Sequence, residues 1–317
     1  MTADFTNLPD LAARTLGAGV VYANDELFAE RENLIKPGDA AFDPDAFGNK
    51  GKIYDGWETR RRRELGSDHA VVRLGVPGIV RGVVVDTSWF TGNYPPYVSI
   101  EGANVDGYPS ADELRAAEWV SLVGKTAAEG DTRNAYEVSD DRRWTHVRLT
   151  IYPDGGVARF RVHGEPLPDP RLLEGTVDLA AVELGARVVD CSDAFYGSAS
   201  NLLRPDRARH MGEGWENARR RDDGNDFVTV QFAGRGVVRR AEIDTSYFVG
   251  NAPGWASLRG RDGDGAWFEL LPRTPLQPDT PHRFWLDDVP PATHVRLDVY
   301  PDGGLARLRV HGNVTDD

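Results

Sequence analysis

One cysteine, Cys191, occurs among 317 residues, so no disulfide can form within the chain. A secreted scaffold stapled by disulfides is excluded, and an oxidising compartment is disfavoured. Basic charge is also short. Lys and Arg number 37 against 50 Asp and Glu, a net charge of −13. That balance argues against nucleic acid or an anionic membrane as partner. An anionic small substrate stays open, provided local arginine clusters bind it. No apolar run nears the roughly 18 residues that a membrane span needs. Met1 to Asp10 has neither a basic n-region nor an apolar h-region, so no signal peptide is expected. A soluble, cytoplasmic protein is the expectation.

Several chemical signatures are missing too. No H-x-H, HExxH or CxxC spacing offers a zinc site. No P-loop or Rossmann glycine pattern follows a strand, and no G-x-S-x-G marks a nucleophilic serine. The sequence therefore points to no metal and no cofactor. Any enzymatic role is directed toward polar acid/base chemistry on a small molecule.

What the chain does contain is a long internal repeat. His146 to Gly164 returns as His294 to Gly312 with 15 of 19 positions identical. The only changes are Thr150/Asp298, Ile151/Val299, Val157/Leu305 and Phe160/Leu308. Further pairs follow in the same order. Leu16-Gly17-Ala18 answers to Leu184-Gly185-Ala186, and Asp25–Leu34 to Asp193–Leu202. Gly56-Trp57-Glu58 answers to Gly214-Trp215-Glu216, and Asp86–Asn93 to Asp244–Asn251. Repeats this long are duplicated domains, since solenoid units run about 20–50 residues. The proline-rich stretch Glu165–Pro170 reads as the linker. It gives a first domain over 1–166 and a second over 167–317.

Period-two alternation dominates. Val147, Leu149 and Ile151 alternate with His146, Arg148 and Thr150, as a half-buried strand requires. Pro153-Asp154-Gly155-Gly156 is turn chemistry, after which Phe160 and Val162 resume the alternation. This reads as a β-hairpin. Val71–Leu74, Val80–Val85, Val228–Phe232 and Val237–Ile243 read as separate strands. Helical signal is confined to Ala111–Trp119 and Leu8–Arg14. The fold class expected is all-β: two tandem antiparallel sandwiches of the jelly-roll kind.

Candidate chemistry sits in three places. Arg60, Arg61, Arg62 and Arg63 follow Trp57-Glu58, and Arg219, Arg220 and Arg221 follow Trp215-Glu216. Guanidinium forks suit carboxylates, although a solvated ion-pair face is the competing reading. Asp86-Thr87-Ser88 with Gly92-Asn93 ends an apolar strand, where loops of a sandwich carry ligands; capping of loop amides is the alternative. His163 and His311 close the repeated segments and could act as acid or base. His146, His294, Asp154, Asp302, Trp57 and Trp215 read as structural.

In this combination the motifs resemble the allantoicase family. The residues are Gly56-Trp57-Glu58-Thr59-Arg60-Arg61, Asp86-Thr87-Ser88-Trp89-Phe90-Thr91-Gly92-Asn93 and Tyr152-Pro153-Asp154-Gly155-Gly156, each with its second copy. The resemblance runs from about Leu8 to Gly312. It implies two galactose-binding-like jelly rolls. It also implies a hydrolase that converts allantoate and water to ureidoglycolate and urea. Glu58, Asp86 and His163 are then the catalytic candidates. Arg60, Arg61, Thr87, Ser88, Asn93 and Asn251 are the substrate-binding candidates. The partner implied is allantoate, with a homo-oligomer expected. The competing classes are a non-catalytic carbohydrate- or small-ligand-binding module and a purely structural duplicated sandwich. Asn217-Ala218 stands where the first copy has Thr59-Arg60, and Val249 where it has Thr91. This divergence favours the first half as the working one.

Overall fold

Alternation carries the strands further than the short apolar runs suggest. Val71–Leu74 and Val80–Val85 are two parts of one 19-residue strand, Asp68–Asp86. Its first part pairs with Gly19–Ala23 and Arg143–Tyr152. Its second part pairs with Arg159–Pro166 and Arg133–Glu137. The register breaks between Arg73 and Gly78. Pro77, within that break, has no N–H to offer a ladder. Gly75 lies there too, and a Cβ on it would meet the Leu16 carbonyl oxygen at 2.4 Å. One bent strand thus serves both faces of the sandwich.

The computed structural model describes residues 4–315. Contacts divide the chain into two units, Met1–Leu167 and Pro168–Asp317. In the second unit, Asp226–Asp244 is again a 19-residue strand. It pairs with Ala292–Tyr300 and Arg187–Cys191, then with Arg307–Val314 and Pro281–Trp285. Each unit is therefore an antiparallel jelly-roll sandwich, the fold class that the alternation implied.

The core of the first unit gathers Trp57, Val72, Val83, Val85, Leu149, Ile151, Phe160 and Val162, all fully buried. Burying each such side chain contributes about 1.5–3 kcal/mol. Trp57 is held by more than packing, because its indole N–H donates to the Asp25 carbonyl at 2.8 Å.

The expected hairpin is not one. Arg143–Tyr152 has neighbours on both edges, the long strand and Tyr97–Ala103. Arg159–Pro166 instead pairs with the other part of the long strand. The turn Pro153–Gly156 is therefore a crossing from one face to the other. Between the two strands, Gly156–Val157 pairs with Trp57–Glu58. Alternation reports which face is buried, not which strand lies alongside; that choice is made by distant partners.

The helical expectations shrink. Ala111–Ala116 is an α-helix, capped by Ser110 and Glu113 in a reciprocal box. It stops short of Trp119, whose indole N–H donates to the Leu114 carbonyl at 2.8 Å. Leu8–Arg14 is not a helix; its Asp10 bridges His163, and Leu11 N–H donates to the Val162 carbonyl. Among the described residues, no helix is long and apolar enough to cross a membrane.

Candidate active site

A cavity of about 510 Å³ opens on the first unit where the Trp57–Glu58 strand, the Gly92–Asn93 loop and the Pro153–Gly155 turn meet. Glu58, Arg60, Arg61, Arg63, Asn93 and Asp154 stand on its wall. Leu27, Phe28 and Tyr94 supply apolar surface. A larger cavity, about 650 Å³, is lined by Phe5, Leu8, Arg81 and Glu165. There Arg81 is already paired with Asp141 and Glu165. Among the described residues, the smaller cavity is the one with cations that have no partner, Arg61 and Arg63, so it is the better place for an anionic substrate.

Glu58 is put there by a three-way junction. Its backbone pairs with Gly156 on one side and with Ala29 on the other. Its Oε1 accepts a 2.7 Å hydrogen bond from the Asn93 amide. Burial pushes the Glu58 carboxyl above its ordinary 4.5, and the Asn93 bond offsets only part of that rise. Among the described residues, no cation bonds to it. The outcome is a half-buried carboxyl whose proton is easier to hold, the usual arrangement for an acid/base group.

The arginine run is spread apart by carboxylates. Asp25 accepts from the Arg60 backbone N–H at 2.9 Å and also from the Arg60 guanidinium. Burial pushes the Asp25 carboxyl up, but the Leu27 and Arg60 hydrogen bonds outweigh it and hold the group below its ordinary 3.8. Asp154 accepts from the Arg62 backbone N–H at 2.7 Å, and the Arg62 guanidinium pairs with the buried Asp68. Anchoring Arg60 and Arg62 leaves Arg61 and Arg63, two exposed guanidinia on the cavity wall. Neither has a hydrogen bond or ion pair among the described residues. They are free to take a carboxylate. Thr59, buried beneath them, exchanges hydrogen bonds with Gly155 of the turn.

The structure does not bring all the sequence candidates to this cavity. Glu58, Arg60, Arg61 and Asn93 line it. Asp86 lies under the loop instead, where Oδ1 accepts from the Ser88 N–H and hydroxyl and Oδ2 faces Arg133 at 3.6 Å. Thr87 is fully buried, its hydroxyl directed to the Glu129 and Thr132 carbonyls. These bonds close the start of the loop that ends at Asn93. His163 sits on Arg159–Pro166, with Nδ1 2.9 Å from the Leu8 carbonyl and its ring against Phe5. Asn251 belongs to the second unit and bonds Glu216 at 2.7 Å, as Asn93 bonds Glu58.

Asp25 and Asp154 were not singled out as site residues by the sequence. The signal was there in their identity between copies: Asp193 accepts from Ala218 N–H, and Asp302 from Arg220 N–H. The repeated turn is accordingly part of the cavity wall, through Pro153, Asp154 and Gly155, not a remote folding element.

The allantoicase repeat model matches residues 9–167 and again 177–315. The chain belongs to the allantoicase family. Among its relatives, the probable allantoicase of Nocardia farcinica is 60% identical over 98% of this chain and 95% of its own. That of Streptomyces avermitilis is 53% identical, covering 100% of this chain and 89% of its own. The crystal structure of Saccharomyces cerevisiae allantoicase superposes with a TM-score of 0.82 at 35% identity, over 96% of this chain and 92% of that one. Family membership covers both repeats, so the duplication read from His146–Gly164 is the family's own architecture.

Proposed function

We propose that this chain is an allantoicase, a hydrolase that converts allantoate and water to ureidoglycolate and urea, and that the first-unit cavity performs the reaction. The observation that carries the site is a half-buried, hydrogen-bonded Glu58 on one wall with two guanidinia that have no partner among the described residues. Family membership carries the substrate.

Allantoate bears one carboxylate and two ureido groups on a single carbon. Arg61 and Arg63 bind the carboxylate, and the planar fork of a guanidinium makes that contact bidentate. Asn93 turns its amide oxygen to a ureido N–H while its NH₂ holds Glu58. Glu58, as carboxylate, removes the N–H proton of the ureido group that stays. The nitrogen lone pair then forms a C=N bond, and the C–N bond to the other ureido group breaks. Glu58 returns its proton to the departing nitrogen, which leaves as neutral urea. Water adds across the C=N bond, its oxygen to carbon and a proton to nitrogen, giving ureidoglycolate. Holding both partners of the proton transfer in place and carrying the proton is the source of rate. In this scheme Asp86, Thr87 and Ser88 shape the Asn93 loop, and His163 ties Leu8 to the sheet.

Mixing purified protein with allantoate and following urea release tests the reading. Stoichiometric urea and ureidoglycolate are expected. No product, with or without added divalent metal, overturns it.

A further inference from the structure

Two arginines are buried among the described residues, Arg159 and Arg307, each 2% exposed. They occupy the same position of the repeated segment, Ala158-Arg159-Phe160 and Ala306-Arg307-Leu308. Taking a guanidinium out of water is costly, and an apolar side chain would fill such a place without that cost. Main-chain carbonyls offset it here. Arg159 Nη1 donates to the Asp55 carbonyl at 2.9 Å, the Ala158 carbonyl at 2.7 Å and the Asn33 carbonyl at 3.3 Å. Nη2 donates to Asp55 Oδ2 at 2.6 Å, and Nε to the Gly38 carbonyl at 3.3 Å.

Those carbonyls belong to the three segments that meet at Glu58. Asp55 leads into the two-residue strand Trp57–Glu58. Ala158 follows Gly156–Val157, which pairs with that strand. Ala29 bridges Glu58 from the other side and leads into Asn33. Asn33 adds a hold of its own, because its Nδ2 donates to the Gly56 carbonyl at 2.8 Å. The approach is close: a Cβ on Gly56 would meet the Val157 carbonyl oxygen at 2.7 Å. In the second unit, Arg307 Nη1 donates to the corresponding Glu213 and Ala306 carbonyls at 2.8 and 2.6 Å, and Asn201 to Gly214 at 2.9 Å. The carboxylate partner is not kept, since Arg307 pairs with Asp206 and not with Glu213. What the duplication preserves is the grip on the carbonyls, while the ion pair comes from a different place in each copy.

We propose that Arg159, with Asn33, is a positioning residue for the reaction: it touches no substrate and fixes the junction that aims the Glu58 carboxyl. The assignment rests on the role given to Glu58 above. A two-residue strand and a single bridge hold little by themselves, so the place of Glu58 depends on the carbonyls gripped around it. Misplacing a reacting group by about 1 Å costs on the order of 10²-fold in rate. The arginine run has separate tethers, with Asp25 on Arg60, Asp154 on Arg62 and Gly155 on Thr59. Loosening Arg159 therefore lowers turnover and leaves binding of the substrate carboxylate in place.

Lysine at this position keeps the charge but replaces the fork by one nitrogen, which cannot grip three segments at once. Steady-state urea release from allantoate is measured for Arg159→Lys, for Asn33→Ala and for each combined with Glu58→Gln. Arg159→Lys should lower kcat by about ten- to a hundredfold with KM within about twofold. Asn33→Ala, which removes one hydrogen bond, should lower kcat by about three- to tenfold. In the Glu58→Gln background neither should lower kcat further, because the group they aim is gone. A merely structural loss would lower kcat equally in both backgrounds. Circular dichroism on each variant checks that it is folded, and Asn33→Ala carries the same test where Arg159→Lys does not fold. The proposal is overturned if the folded variants keep full kcat, if KM rises as much as kcat falls, or if the loss persists undiminished in the Glu58→Gln background. Full kcat in Glu58→Gln sinks the role of Glu58 and this assignment with it. Loss of kcat in Glu58→Gln without loss in Arg159→Lys and Asn33→Ala sinks this assignment alone.

Discussion

Replacing Glu58 by glutamine tests the proposed chemistry with little disturbance of the fold. The side chain is half-buried, and among the described residues its only side-chain hydrogen bond is accepted by Oε1 from Asn93 at 2.7 Å. Glutamine keeps an acceptor oxygen at that position, so Asn93 and its loop stay in place. What is lost is the ability to take and return a proton. Positioned acid/base groups are worth about 10²–10⁴ in rate, or about 3–5.5 kcal/mol of transition-state stabilisation. Urea release by Glu58→Gln should therefore show kcat down by about that factor, with kcat/KM falling alongside it. Thermal stability should not fall, because a carboxyl whose burial disfavours its charge has been made neutral. The pH profile gives a second reading. As the base, Glu58 must be ionised, so kcat/KM declines as pH falls through its pKa. That pKa is raised above 4.5, so the acid limb lies above pH 4.5 and disappears in the variant. A variant that keeps more than about one tenth of kcat would remove Glu58 from the proton transfer.

The other expectations can be checked with the same assay or by unfolding. Arg61→Ala/Arg63→Ala should raise KM for allantoate by about tenfold or more, since a charge-assisted contact contributes about 1.5–3 kcal/mol, while thermal stability stays put because neither guanidinium is paired among the described residues. Asp154→Ala leaves the Arg62 backbone N–H without its acceptor. It should cost about 1–2 kcal/mol by urea denaturation and raise KM by loosening the arginine run. His146 is buried, and burial followed by the nearby Arg73 charge pushes its imidazole down from 6.5 to about 4. The unfolded chain then binds a proton that the folded one refuses. Stability should be full above pH 6.5 and fall by about 2 kcal/mol between there and pH 4.5. A slope unchanged in His146→Leu would assign that loss to other groups.

Much of the fold was legible because it depends on local pattern and on repetition. Alternation along Val147–Ile151 and Phe160–Val162 identifies strands and their buried faces, since successive side chains must point to opposite sides. Duplication, visible from 15 identities in 19 positions, divides the chain and supplies a second copy of every motif. Glu58, Arg60, Arg61 and Asn93 could be named from their place beside glycines, tryptophan and one another. Asp86 and Thr87 stood in an equally suggestive motif, yet their side chains close a loop. Sequence spacing does not distinguish a carboxylate facing a cavity from one facing its own neighbours' amides.

By itself, then, the sequence determined the strand content, the two-fold duplication, the family and the residue types available for chemistry, because these follow from composition, period and order. Tertiary structure decided which of them meet. The segment Tyr152–Gly156 looks like the end of a hairpin, but its flanking strands pair with different parts of Asp68–Asp86. That crossing brings Asp154 beside Arg62, 92 residues away in the chain. Asp25 and Asp154 then tether alternate arginines and leave Arg61 and Arg63 free. Hydrogen bonds and ion pairs across such separations depend on the packed core that aligns them, and no local rule in the sequence encodes them.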